Sequence, residues 1–378
     1  LLAALVFVPL AVRLGLGSVL GYLTAGVVIG PVGFALVSDP TAILHASELG
    51  VVLMLFVIGL ELEPQRLWAM RAAVFGGGAL QMGVCAALLM PVGLLLGWTW
   101  QASLVASLAL ALSSTAIVVG ILQERHLMDV PVGRNGFSML LFQDIAAIPL
   151  LALAAALGSQ NAPSVSSGHG HSSPLLQIGA VLAVVVAGRY VAYPAMRFIA
   201  RLPVRELFTG FALLLVLGVA ALMEWVGLSM GLGAFLAGVL LASSEYRHAL
   251  ENDILPFKGL LLGLFFMTVG VGIDTGTLFS QPVTLLGLTL GMIAVKVAVL
   301  LVLGVVFKMQ GKDRWLFALG LAQAGEFGFV LTTFARQQGV LSQAEGQMAQ
   351  LVVSLSMLLT PLLFIGYEQL AKRMAALN

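Results

Sequence analysis

The sequence predicts an all-α membrane protein of about thirteen transmembrane helices, an inverted repeat in which two discontinuous helices, spans 5 and 12, cross. Three observations predict it. Of 378 residues, 60% are hydrophobic and 9% charged, and the mean hydropathy is +1.07; soluble domains carry about 25% charge. Nearly every window of about 20 residues between short polar breaks is apolar enough to cross a bilayer. Lysine and arginine alternate from one loop to the next. The net charge of +1 arises in loops and points to no charged partner, and nucleic acid is not expected as one.

In order, the spans run over about 1–13, 16–33, 47–62, 70–97, 102–122, 135–158, 175–200, 206–224, 229–243, 257–273, 282–307, 313–336 and 346–370. Residue 1 lies inside an apolar run with no initiator Met or signal peptide, so the chain is expected to be trimmed at its N-terminus, with the C-terminus open to the same reading. The linkers are short, which leaves no room for a soluble domain within the chain. Gly158 to Pro174 is the longest polar insert, a Ser/Gly/His-rich loop whose His169 and His171 read as solvated rather than metal-ligating. Cys85 is the single cysteine and reads as a buried, inert thiol. Gly26 and Gly30 form a GxxxG that marks close helix packing, and Arg189 reads as snorkelling toward the cytoplasmic surface.

Orientation follows from the cations. Loops 34–46, 98–101, 159–174, 225–228 and 274–281 hold none. The intervening loops hold Arg13, Arg66, Arg71, Arg125, Arg134, Arg197, Arg201, Arg205, Arg247, Lys258, Lys308, Lys312 and Arg314. The positive-inside rule puts these, and the C-terminus with Lys372 and Arg373, in the cytoplasm. Arg336 is the exception.

Four polar groups interrupt the spans. Span 5 carries Ser113, Ser114 and Thr115; span 6 carries Gln143 and Asp144; span 11 carries Lys296; span 12 carries Glu326 between Gly325 and Phe327. A lone carboxylate at bilayer depth costs about 2.5–3.5 kcal/mol even on a lenient insertion scale, and Asp144 is the residue on which the functional reading turns. The groups fall in two triplets, spans 4–6 (about 70–158) and 11–13 (about 282–370), which form the expected ion-binding core. Seven spans separate corresponding members, so the triplets have opposite topology. Spans 1–3 and 7–10 are left as scaffold, dimerisation and linking helices.

An interrupted helix exposes carbonyls and half-helix ends that can coordinate a cation. Carbonyl, hydroxyl and carboxylate oxygens together suit a hard monovalent cation rather than a soft transition metal. Desolvation disfavours a charged carboxylate, so Asp144 can hold either a proton or a cation, and competition for one site gives exchange. Lys296 and Glu326 are the charge-compensating groups. Structural alternatives stand beside each assignment: an Asp144–Lys296 ion pair holding two helices, Glu326 pairing with Lys296 or capping a half-helix, and hydroxyls bonding back to helical carbonyls.

These residues resemble the Kef-type glutathione-gated potassium efflux systems of the monovalent cation:proton antiporter-2 family. The resemblance runs the length of the chain and is carried by Gly21–Pro31, Phe142-Gln143-Asp144, Gly325-Glu326-Phe327, and the loop His248 to Asp253 continuing into Pro256–Phe266. The Gln-Asp pair looks like the Kef branch, where sodium–proton antiporters typically have Asn-Asp or Asp-Asp. The resemblance implies a homodimeric potassium/proton antiporter of a bacterial-type inner membrane, working by an elevator-like shift, with potassium and a proton competing at Asp144 beside Gln143. It implies a regulatory loop of His248, Glu251, Asn252 and Asp253, reading Glu-Asn-Asp where relatives have Glu-Ser-Asp. It also implies a cytosolic nucleotide-binding domain or ancillary subunit responding to nucleotide or glutathione. No Gly-rich strand–turn–helix fingerprint for such a domain occurs in this chain.

A transporter rather than an enzyme is therefore expected, needing no cofactor beyond its transported ions. Sodium/proton antiport is the neighbouring alternative. A ligand-gated potassium channel is a weaker one, since no Thr-Val-Gly-Tyr-Gly filter run occurs, and the buried charges argue against a non-transporting scaffold.

Overall fold

Apolar runs without charge satisfy their backbone hydrogen bonds within the segment, the form in which an open chain survives in lipid. In a computed structural model every regular element among the described residues is accordingly helical. The structure describes the chain apart from residues 1, 15–16, 32, 37–40, 62–71, 125–129, 159–173, 202–204, 227–229, 243, 273–274 and 378. Arg66, Arg71, Arg125, His169, His171 and most of the polar insert lie outside the described residues, as do the side chains of Arg189, Arg205, Lys372 and Arg373.

The helices are α1 (Leu2–Arg13), α2 (Gly17–Ile29), α3 (Thr41–Glu61), α4 (Ala79–Leu95), α5 (Trp100–Ala111), α6 (Thr115–Glu124), α7 (Pro131–Gly158), α8 (Pro174–Ala187) and α9 (Tyr193–Ile199). They continue as α10 (Arg205–Trp225), α11 (Met230–Leu241), α12 (Arg247–Val271), α13 (Thr275–Ser280), α14 (Pro282–Val306), α15 (Gly311–Leu321), α16 (Glu326–Gln337) and α17 (Gln343–Leu377). Short π-helical turns lead into α4 over Ala72–Gly78 and join α8 to α9 over Gly188–Ala192. Among the described residues seven helical segments are long and apolar enough to cross a membrane: Phe75–Leu95, Pro131–Gly158, Gly179–Ile199, Glu206–Trp225, Arg247–Val271, Pro282–Val306 and Gly311–Gln337. Large apolar side chains such as Leu5, Phe198, Leu214 and Val302 are exposed, as lipid-facing surfaces require.

The chain divides into two compact units. One comprises Leu1–Ser38, Met70–Asn161 and Val269–Asn378. Its core sets Cys85 of α4 and Met139 and Leu140 of α7 with Leu300 and Leu303 of α14. Ala111, Val118, Phe317 and Leu321, from the helices flanking two interruptions, fill the same cluster. Gly30 and Gly270 let α2 lie backbone-close to residues 270–271, since a Cβ at Gly270 would strike the Leu23 carbonyl. The GxxxG reading as close packing therefore has a concrete partner.

The second unit comprises Asp39–Ala69 and Ala162–Thr268. Phe56, Val57 and Leu60 of α3 pack with Ala234, Ala237 and Leu241 of α11 and with Ala212 and Val216 of α10. Gly59 and Gly238 set the α3–α11 separation: a Cβ on either would run into the other's Cα at 2.9 Å and into the facing helix's carbonyl oxygen. Small residues admit this approach in lipid, where association relies on packing.

One expectation is corrected here. Residues 248–253, expected as a loop before a span starting near 257, form the opening turns of α12, which begins at Arg247. Leu250 and Ile254, one turn apart, are both buried in the α3–α10–α11 core, and that anchorage keeps the polar turn helical.

Replacing Gly238 with Leu forces a side chain against the α3 backbone. It should cost about 1–3 kcal/mol, read as a lower melting temperature of the detergent-solubilised protein, while Gly83→Leu, which meets open space, should not.

Candidate ion-binding site

A helix that stops inside a bilayer strands its last carbonyls where water cannot reach them. That happens twice in the first unit. α5 stops at Ala111 and α6 begins at Thr115; α15 stops at Leu321 and α16 begins at Glu326. Residues 111–114 and 321–326 are buried. Both helix ends also carry the partial negative charge of the backbone dipoles.

Lys296 of α14, fully buried, answers both ends at once. Its Nζ donates to the carbonyls of Gln323 at 2.7 Å, Leu112 at 2.9 Å and Leu110 at 3.2 Å, and to Ser113 Oγ at 3.1 Å. Three ammonium protons thus serve four oxygens drawn from the two interruptions. Ser113 Oγ itself donates to the Leu321 carbonyl at 2.7 Å, tying one interruption to the other. Gly325 is needed for space rather than for an unusual backbone: its φ is −114°, and a Cβ there would collide with the Ser113 carbonyl.

The backbone of the first interruption is held from α4 and α7. Ser113 N–H donates to Gln143 Oε1 at 2.7 Å, Gln143 Nε2 donates to Gln81 Oε1 at 2.7 Å, and Gln81 Nε2 donates to the Ala111 carbonyl at 3.2 Å. In the second interruption Ala324 N–H donates to Ser356 Oγ at 3.1 Å. Gln323 is fully buried, and neither its amide oxygen nor its amide nitrogen has a hydrogen-bond partner.

Asp144 stands beside the start of α6. Thr115, the first residue of that helix, donates its hydroxyl to Asp144 Oδ1 at 3.2 Å, with Oδ2 at 3.5 Å. Ser114 Oγ accepts the Ile117 N–H at 3.3 Å and so caps α6. The carboxylate therefore lies at the positive end of a half-helix dipole, a position that favours negative charge. Asp144 and Thr115 are both partly exposed, whereas Gln143, Ser113 and Ser114 are buried.

The structure thus gathers Ser113, Ser114, Thr115, Gln143, Asp144 and Lys296 and gives them different work. Thr115 touches Asp144; Ser113 and Ser114 hold backbone; the Gln143 oxygen is occupied by a backbone N–H. Lys296, expected as the counter-charge of Asp144, spends its hydrogen bonds on neutral oxygens. Glu326 is buried as the first residue of α16, where the helix dipole accommodates an acid. The expected regulatory residues lie in the second unit. His248 Nδ1 is 3.8 Å from Glu251 Oε2, Asn252 is exposed, and buried Asp253 accepts from Thr209 Oγ1 at 2.7 Å. Sequence reading passed over Gln81, Gln323 and Ser356. A lone amide in the apolar run Gly78-Ala79-Leu80-Gln81-Met82 was the available signal for the first.

Three comparisons bear on this geometry. A family profile described as sodium/hydrogen exchanger, transmembrane, matches residues 1–365. Proteins named glutathione-regulated potassium-efflux system protein KefC, from Escherichia coli O6:K15:H31 and Shigella boydii serotype 18, are 54% identical over 368 residues, covering 97% of this chain. The chain spans 59% of the length of those relatives. The structure of the sodium proton antiporter MjNhaP1 from Methanocaldococcus jannaschii at pH 8 superposes with a TM-score of 0.66, covering 95% of this chain and 92% of that one at 14% identity.

Lys296→Met should leave several buried carbonyls unpaired and cost about 3 kcal/mol or more. Ser114→Ala, which removes a helix cap, should cost about 1 kcal/mol. Thermal unfolding in detergent ranks the two.

Proposed function

The chain belongs to the sodium/hydrogen exchanger family, and we propose that it is a potassium/proton antiporter in which a cation and a proton compete for Asp144. The carrying observation is the Thr115–Asp144 pair at the head of α6, 3.2 Å apart. It offers a carboxylate and a hydroxyl whose lone pairs can face a cation, on a partly exposed site beside a segment whose Ser113 and Ser114 hydroxyls are already hydrogen-bonded elsewhere. Deprotonated, Asp144 takes the cation; protonated, it releases it. One cation out for one proton in follows without any further titrating group.

Potassium is chosen over sodium on the 54% identity to proteins named potassium-efflux systems. The solved sodium proton antiporter is 14% identical and supports the fold alone. In this reading the chain threads the membrane thirteen times with its C-terminus in the cytoplasm of a bacterial-type inner membrane. The interrupted helices α5–α6 and α15–α16 are the crossed middle members of an inverted repeat. The protein works as a homodimer, and the first unit carries Asp144 across by an elevator-like movement.

Regulation by a cytosolic domain or subunit that binds nucleotide or glutathione is part of the same proposal. Of the two acids expected to restrain activity, Glu251 is the one within a ligand's reach. Asp253 faces Thr209 and would act by holding α12 to α10.

Reconstituted in liposomes, the protein should move protons against gradients of potassium and rubidium more strongly than sodium. Asp144→Asn should reduce that exchange by at least about a hundredfold, since without a titrating carboxylate no proton is carried; retained exchange removes Asp144 from its role. Neutralising Glu251 and Asp253 together should raise basal exchange, and unchanged or lower exchange argues against restraint by this segment.

A further inference from the structure

Among the buried polar groups that the exchange reaction leaves unassigned is Gln81, fully buried on α4. Its surroundings fix its orientation. Ser113 N–H can only donate, so the Gln143 atom facing it at 2.7 Å is the amide oxygen. The Gln143 nitrogen must then face Gln81, and the Gln81 atom receiving it at 2.7 Å is again an oxygen. The Gln81 nitrogen is left to donate to the Ala111 carbonyl at 3.2 Å, with Cys85 Sγ at 3.4 Å as a weaker acceptor. The relay begins and ends on the backbone, on the two residues flanking Leu112. No amide can flip without placing donor against donor or acceptor against acceptor.

We propose that Gln81 is a positioning residue of the transport site. Acting through Gln143, it fixes the backbone from the end of α5 at Ala111 to the non-helical Ser113, and so the placement of Thr115 and the cation affinity at Asp144. The proposal rests on reading Asp144 as the cation site. It also reassigns Gln143: an amide whose oxygen is taken by Ser113 N–H and whose nitrogen is taken by Gln81 governs the ion through the backbone rather than by contact. The chain of atoms is short, because Ser113 is two residues from Thr115 and Thr115 touches the carboxylate. Small displacements of such a segment are costly, since binding constellations tolerate only about half an ångström of misplacement.

The test is cation-driven proton exchange in liposomes, measured as half-saturating potassium concentration and maximal turnover. The variants are Gln81→Leu, Gln81→Asn, Gln143→Leu and the double variant Gln81→Leu/Gln143→Leu, with Asp144→Asn alongside. Gln81→Leu removes both hydrogen bonds; Gln81→Asn is one methylene too short to make both. Each should raise the half-saturating concentration about five- to tenfold with turnover within about twofold, the signature of lost ground-state binding. In the Gln143→Leu background, Gln81→Leu should have no further effect on affinity, because its route to the site is already cut. A role confined to packing predicts the opposite: lower thermal stability, unchanged affinity, and additive effects in the double variant. Unchanged affinity, additivity, or failure of both Gln81 variants to fold would each overturn the proposal. If Asp144→Asn abolishes exchange while the Gln81 variants match the parent, only the positioning role fails. If Asp144→Asn still exchanges, the reading of the site fails first.

Discussion

One buried ammonium holds the centre of the first unit together. Two helices end in the interior, and their stranded carbonyls have neither water nor a following helical turn to satisfy them. Lys296 brings a single positive charge to oxygens from both ends, at 2.7–3.2 Å, and Ser113 Oγ closes the gap between them. A neutral donor could satisfy one carbonyl but not the summed negative potential of two helix ends. The cation is thus explained by backbone it compensates, without requiring an acid as its primary partner. Arginine would be a poor replacement, because its planar fork cannot point three donors at oxygens arranged around one atom.

The two interruptions are treated alike and then made unequal. In each, a side-chain oxygen from the third helix of the triplet accepts the N–H of an unwound residue: Gln143 of α7 for Ser113, Ser356 of α17 for Ala324. In each, a side chain from the first helix reaches a carbonyl near the gap: Gln81 of α4 for Ala111, Lys296 of α14 for Gln323. The following residue differs. After Gln143 comes Asp144; after Ser356 comes Met357, fully buried. A lysine stands in one triplet where the other has a glutamine, and an acid stands in one where the other has a methionine. Lys296 and Asp144 thereby stand in different triplets, and the proposed exchange site belongs to the first of them.

Much of this was legible in the sequence. Hydropathy alone places the long apolar helices, because in lipid the length of an apolar run dictates the element. Ser113–Thr115 and Gly325–Glu326 mark where helices stop, since hydroxyls and glycine tolerate unwound backbone. What sequence could not assign was the division of labour. Ser113, Ser114 and Thr115 are equivalent as letters, yet one bridges two interruptions, one caps α6 and one meets Asp144. Gln81 escaped because an isolated amide gains meaning only from the carbonyl it meets thirty residues on. The turn 248–253 misled because its polar residues suggest a loop, while Leu250 and Ile254 anchor it as helix.

That division has a consequence for how a site can be both firm and open. The polar side chains that shape the first interruption are spent on backbone and on one another: the Gln143 amide on Ser113 N–H and Gln81, the Ser113 hydroxyl on the Leu321 carbonyl and Lys296, the Gln81 amide on Gln143 and the Ala111 carbonyl. What remains partly exposed is the pair Thr115 and Asp144. A cation arriving there would meet a carboxylate beside a segment whose amides and hydroxyls are already hydrogen-bonded, so binding need not be offset by reordering the segment. The same saturation keeps Lys296 from swinging to Asp144, because doing so would strand at least two buried carbonyls at about 1–3 kcal/mol each. In the proposed antiport an empty carboxylate is then left to take a proton in place of a lysine, and that substitution would couple the two ions.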